Sequence, residues 1–311
     1  MKSIMFLICI IITSNTYAKY EIKKQIDKEN KTIEVVENPT LKTLSGSLNK
    51  WSFYSSHVYR GGSLSRPTSA ERPNILKAQE QPSLASANSN IGLKFRSSHN
   101  DNFSLQIGVY STTPFHSELK TSNTKNQKDF DKNHQKIDFD DPTLSYFRTF
   151  YLGSLQNISF LKYQFVTRGI YRDYGLKSVM SYSQASAYKL NKFSYIAGSL
   201  TYEYYNYDKE FSLYKGRKIS LLPYQTEHKL RANISAEMYI RKNVSLRFIT
   251  DIFSIYKMKE ENDFEKRGLQ QTIAFTYFFN RDISIAPNFK FVAKDIRKDR
   301  TNIGLTLNVN L

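Results

Sequence analysis

The chain has 311 residues, enough for one large domain or two small ones, and a formal charge of +17. Mean hydropathy is −0.52, and no stretch past the N-terminus reaches the roughly 20 apolar residues of a membrane helix, which excludes a helical membrane protein. The single cysteine, Cys9, excludes a disulfide scaffold and a zinc cluster. Aromatics make up 14%, with 22 Tyr and 21 Phe against one Trp, a composition that suits β structure.

The first residues predict export. Met1-Lys2 is a short basic start, IMFLICIII (4–12) an apolar core, and TSNTYA leads to a small-residue cleavage site before Lys19. Residues 1–18 therefore read as a signal peptide. Cys9 lies inside that apolar core behind Ile8, so it is no lipidation site, and the mature chain carries no thiol. Export argues against nucleic acid as the partner of so basic a chain. The Lys and Arg residues are scattered through predicted loops rather than gathered in a stripe. Acidic lipid headgroups or anionic solutes are expected instead.

Residues 19–49 read as a polar N-terminal arm on the periplasmic side. Within it, KTIEVVENPT (31–40) resembles, through Thr32, Ile33, Val35 and Val36, the short box by which energy-coupled outer-membrane transporters engage their inner-membrane partner. Such transporters need a plug domain and a barrel of about 22 strands. The rest of the chain offers neither, so an arm, or a segment folded into a lumen, is expected.

From residue 50 onward, two-residue alternation runs in stretches of about 10 residues, as outer-membrane barrels show. Strands are predicted near 50–59, 89–97, 102–112, 142–152, 157–168, 175–189, 192–207, 225–240, 243–256, 267–279, 282–292 and 301–311. Tight breaks near 98–101, 153–156, 190–191, 241–243 and 280–282 alternate with long charged connections at 60–88, 113–141, 208–224, 257–267 and 293–300. A soluble sandwich has no reason to sort its loops by length, whereas short periplasmic turns and long extracellular loops do so in a membrane barrel. The fold class expected for 50–311 is all-β: a transmembrane antiparallel up-and-down β-barrel of about twelve strands.

Register assigns the faces. Lipid-facing sets are Phe103, Leu105, Ile107 and Val109; Leu230, Ala232, Ile234, Ala236, Met238 and Ile240; Leu269, Gln271, Ile273, Phe275, Tyr277 and Phe279; and Ile283, Ile285, Pro287, Phe289 and Phe291. A charge facing lipid at the midplane costs roughly 2–4 kcal/mol, so the charged face turns inward. The lumen-lining candidates are Lys162, Glu203, Lys229, Arg231, Glu237, Arg247, Asp251 and Lys290. Their balance is modestly positive. Tyr239, Tyr277, Phe278 and Phe279, near strand ends, are expected in an interfacial aromatic girdle.

In FYSSHVYRGGSLSRPTSAERPNI (53–75), an aromatic strand ends in Tyr59-Arg60-Gly61 before a Ser/Pro-rich segment. This stretch resembles the first hairpin of TorF-type porins, in which a Tyr-x-x-Arg-Gly stretch closes an early strand; the resemblance implies a pore-forming role. Gly61-Gly62 are also expected to build a rim turn by supplying positive φ.

The five histidines, His57, His99, His116, His134 and His228, form no metal motif. HQKIDFDD (134–141) sets His134 near Asp138, Asp140 and Asp141, a pairing that could activate water in an alternative reading as a surface hydrolase; among Lys128, Lys132 and Lys136 it reads as a solvated loop. SSHNDN (97–102) has the spacing of a turn. No enzyme activity and no cofactor are expected.

The final stretch, IGLTLNVNL (303–311), alternates without a break. It is expected to pair with the first strand and close the barrel, removing both edges. Outer-membrane barrels resemble one another in ending on such a strand, which the insertion machinery recognises, usually with a terminal Phe or Trp; here Leu311 takes that place. The expected role is a weakly anion-preferring passive channel for small solutes in the outer membrane of a Gram-negative bacterium, in contact with lipid and lipopolysaccharide. The other reading is a structural or surface-interaction barrel with a blocked lumen.

Overall fold

The computed structural model describes residues 37–76, 83–116, 137–214, 217–266 and 268–311. The signal peptide, the transporter-like box up to residue 36, and His134 lie outside the described residues.

Alternation does what a membrane barrel requires of it. The strands are β1 (Trp51–Ser63), β2 (Ser86–Arg96), β3 (Asp101–Thr112), β4 (Ile137–Leu152), β5 (Leu155–Phe165), β6 (Leu176–Asn191), β7 (Ser194–Tyr207), β8 (Thr226–Arg241), β9 (Val244–Met258), β10 (Gln271–Phe278), β11 (Ile283–Phe291) and β12 (Asn302–Asn310). Each is antiparallel to its neighbours in sequence, and β1 pairs with β12, so twelve strands close on themselves. Closure matters because no water in the bilayer core satisfies an open edge. The seam runs in register from Tyr54↔Asn310 to Arg60↔Gly304, and Phe53 and Leu311 exchange both backbone hydrogen bonds, at 2.8 and 2.7 Å.

The outer surface is apolar where the sequence pattern places it. Leu105, Ile107, Ile234, Met238, Phe248 and Phe275 are exposed on it, as a lipid-facing belt must be. The girdle is corrected in part. Tyr277 and Phe279 are exposed, but Tyr239 and Phe278 are buried and pack with Tyr195 inside the barrel. The reason is parity: 277 and 279 share the outer face, so 278 points inward. Phe291, assigned outward, is also buried.

Tight turns and long connections alternate around the ring. Gly153-Ser154 closes one hairpin between Leu152 and Leu155, with Gly153 at φ +59°. At another tight turn, Ser98 Oγ accepts from the amides of Asn100 and Asp101, which accounts for SSHNDN as turn chemistry. At the opposite end, β1 runs on past residue 59 to Ser63 through a register shift between Arg60 and Ser63. Gly61 and Gly62 do not have positive φ there. They are small because the loop folds back on them: a Cβ on Gly61 would stand 2.9 Å from the Pro67 carbonyl oxygen, and one on Gly62 would collide with that of Arg66.

Candidate functional site: the barrel lumen

The inner face has three regions, one at the tight-turn end and two along opposite walls. The first, at the tight-turn end, is made by the chain just ahead of β1. Asn38 caps a short helix, α1 (Pro39–Ser45), its Oδ1 accepting from the Leu41 amide at 2.9 Å, with Pro39 opening the first turn. Helix α1 lies within the barrel mouth. Leu41 packs on the inward Ile158 and Ala187. Gln156 Oε1 accepts from the amides of Glu37 and Asn38 at 2.8 and 2.9 Å. Thr40 Oγ1 and Asn38 Nδ2 donate to the Glu237 carboxylate at 2.8 and 3.2 Å, and Ser245 Oγ adds a third donor at 2.8 Å. Arg281 Nη1 donates to the Gly46 carbonyl at 2.8 Å. The described part of the predicted polar arm is therefore seated in the lumen, and Glu237 holds it there.

The second region has mixed charge. Lys162, Glu203 and Arg231 line a cavity of about 270 Å³ walled by β3 to β8. Lys229 Nζ meets Glu203 Oε2 at 2.6 Å, and the Tyr205 hydroxyl donates to the same carboxylate oxygen at 2.8 Å.

The third region, along the other wall, has only basic charge on its lining. A cavity of about 360 Å³ lies against β1 and β9 to β12, with Thr40 and Thr43 of α1 on its boundary. Arg60, Arg247 and Lys290 line it from the strands, and Arg72 from the loop after β1. Arg72 is held by a two-residue pairing of Glu71–Arg72 with Ser83–Leu84, by the Ala85 amide donating to the Ala70 carbonyl at 2.8 Å, and by Asn302 Nδ2 donating to the Pro73 carbonyl at 3.0 Å. Burial first, and Arg60 second, push the Arg72 guanidinium below its ordinary pKa. Asp251 interacts electrostatically with Arg231 and Lys290 but does not line this cavity.

Each residue singled out from the sequence thus has a place. Lys162, Glu203 and Arg231 border the mixed cavity; Lys229 pairs with Glu203; Arg247 and Lys290, with Tyr59 and Arg60 of the rim motif, border the basic one; Glu237 anchors α1. Gly61 lies at the register shift beside them. Register reasoning missed Arg72, which sits in a loop where no periodicity speaks. It also missed Lys94, whose Nζ lies 4.4 Å from the Tyr54 ring centre and donates to Asn310 Oδ1 at 2.9 Å. That lysine was legible, since Leu93 faces outward and position 94 must then turn in. The acidic pair considered for hydrolysis is tied up: Asp140 accepts from Asn88, and Asp141 accepts from Gln164 Nε2 at 2.8 Å and from the amides of Thr167 and Arg168.

No family model and no curated protein matches the chain. Among solved structures, an outer membrane channel from Pseudomonas putida F1 aligns over 86% of this chain and 97% of that one, at 9% identity and a TM-score of 0.54. The NanC porin aligns over 83% of this chain and 98% of that chain, at 10% identity and a TM-score of 0.43. Salmonella typhi OmpF aligns over 85% and 98%, at 8% identity and a TM-score of 0.38. At 9% identity the likeness to the Pseudomonas putida channel is one of fold: a closed antiparallel β-barrel.

Proposed function

We propose that the protein is a passive, weakly anion-preferring channel for small solutes in the outer membrane of a Gram-negative bacterium. Lipid and lipopolysaccharide would surround its apolar belt, and the strand 303–311 would be the element read by the insertion machinery. The TorF-type likeness of residues 53–75 points the same way. The observation that carries the reading is the imbalance of lumen charge. Arg60, Arg72, Lys162, Arg231, Arg247 and Lys290 make no ion pair within 4.0 Å among the described residues; of the lumen carboxylates singled out from the sequence, Glu203 and Glu237 are already engaged, which leaves Asp251, acting on Arg231 and Lys290 at longer range, as their counter-charge. Unpaired basic side chains around a pore lower the electrostatic energy of an entering anion and raise that of a cation. No covalent step is called for.

Single-channel current in a planar bilayer with a salt gradient tests this. Discrete steps with a reversal potential on the anion side are expected, and Arg247→Gln with Lys290→Gln moves that potential toward zero. A cation-selective pore overturns the reading. A second reading, a barrel with a blocked lumen that acts through its surface, is favoured by α1 and by the Glu71–Arg72 segment, which close on the lumen from opposite ends. A folded, inserted barrel that passes no current selects it.

A further inference from the structure

The two cavities of the lumen differ in kind. The mixed one sets Lys162 and Arg231 against a carboxylate, Glu203. The basic one is bordered by four cationic side chains, Arg60, Arg72, Arg247 and Lys290, and by no carboxylate at all. Like charges crowded into partly desolvated space repel, and the nearest carboxylates lie outside the cavity: Asp251 acts on Lys290, and Glu237 stands opposite Arg247 but is held by α1. Two of its donors are conspicuous. Arg72 Nε and Arg247 Nε are shut off from solvent and have no hydrogen-bond partner. With no accessible surface these two atoms do not themselves face the cavity; what an oxyanion there would meet is the terminal Nη pair of each guanidinium, whose fork binds a carboxylate by two parallel N–H bonds.

The rest of the wall narrows the ligand. Val58, Ile249 and Ala274 present carbon to the cavity, and Asn288 and Thr306 present neutral polar groups. A bare inorganic anion has no use for the apolar part. A volume of about 360 Å³ lies at the small end of organic-ligand sites. We propose that this chamber is a saturable binding site for a small organic polycarboxylate, with its carboxylates on Arg60, Arg72, Arg247 and Lys290 and its carbon skeleton on the apolar wall. The inference rests on the channel reading for its physiological sense but not for its test.

Two measurements with the full-length mature protein in detergent and in bilayers decide it. Citrate titrated calorimetrically into the detergent-solubilised barrel should give saturable heat. Citrate added to a chloride-filled bilayer should reduce the current with the same midpoint. Arg247→Gln and Lys290→Gln each weaken that midpoint about tenfold, the scale of one charge-assisted hydrogen bond. Lys192→Gln, in a tight turn, leaves it unchanged. Inorganic phosphate binds at least tenfold more weakly than citrate if the carbon wall contributes. Retention of the heat-dependent gel shift shows that each variant is folded. No saturable heat and no block in a folded barrel overturns the site even where the current is anion-selective. Equal binding of phosphate and citrate overturns the organic part. Saturable heat from a barrel that passes no current leaves the site standing and overturns the channel.

Discussion

Glu237 shows how one side chain can change its meaning between pattern and structure. Its register places it in the lumen, where a free carboxylate would lower anion preference. It instead accepts from Asn38, Thr40 and Ser245, so its charge is spent on holding α1. Replacing it with alanine leaves three buried or half-buried donors without an acceptor, at about 1–3 kcal/mol each. The expected result of Glu237→Ala is a helix released from the mouth and a larger single-channel conductance. Glu237→Gln, which keeps an acceptor oxygen, stays close to the parent. Equal conductance in all three proteins would show that α1 does not restrict the pore. The residues that resisted reading from sequence were of the same sort. Arg72 owes its position to a loop that folds back over Gly61 and Gly62, and the acceptors of Thr40 and Asn38 lie almost two hundred residues away. Short-range periodicity carries no trace of such contacts.

Among elements, the strands were the legible part because one rule governs nearly every position: carbon outward, polar inward. That rule has a cost attached and can be tested as such. Ile234 is exposed on the belt near the middle of β8, so Ile234→Lys should destabilise the folded barrel by roughly 2–4 kcal/mol. Thr201→Lys, on the inner face beside Glu203 but opposite Arg231, should cost less, about 1 kcal/mol or below, the scale of like charges facing each other across a ladder. Urea unfolding in lipid vesicles compares them, and equal losses would mean that the faces are misassigned. Where the pattern blurred, the ladder itself is irregular. In β4 the register slips between Gln106↔Thr143 and Gly108↔Asp140. Asp141 and Pro142 take up the extra residue, and a proline has no amide to give the ladder. The alternation changes phase there, which is why 142–152 could not be read back to its true start at Ile137. Helix α1 was illegible for a different reason. Seven residues make barely two turns, too few for a helical period to stand out, and only the surrounding wall, on which Leu41 packs, makes the helix worth forming.

At the scale of the whole molecule, strand number, alternation of loops and closure were all in the sequence, because parity and the two-residue period constrain them jointly. The filling of the lumen was not, because it depends on which segments turn inward. The sheet order carries a kinetic consequence. Eleven of the twelve strand pairings join neighbours in the chain; the twelfth, β1 with β12, joins residues about 250 positions apart, such as Ser56 and Asn308. Search time for a contact grows with the chain between its partners, so assembly should wait on this one joint while both of its edges stand open to other molecules. A disulfide between Ser56→Cys and Asn308→Cys removes that search. Its loop is about ten times longer than one joining Ser159 to Gln184 on adjacent strands, 252 residues against 25. The corresponding gain in closure is about 30-fold greater. Refolding followed by gel mobility should accelerate markedly with the first cross-link and little with the second. Equal rates would place the bottleneck elsewhere; a large difference would make one line of hydrogen bonds the clock of the entire barrel.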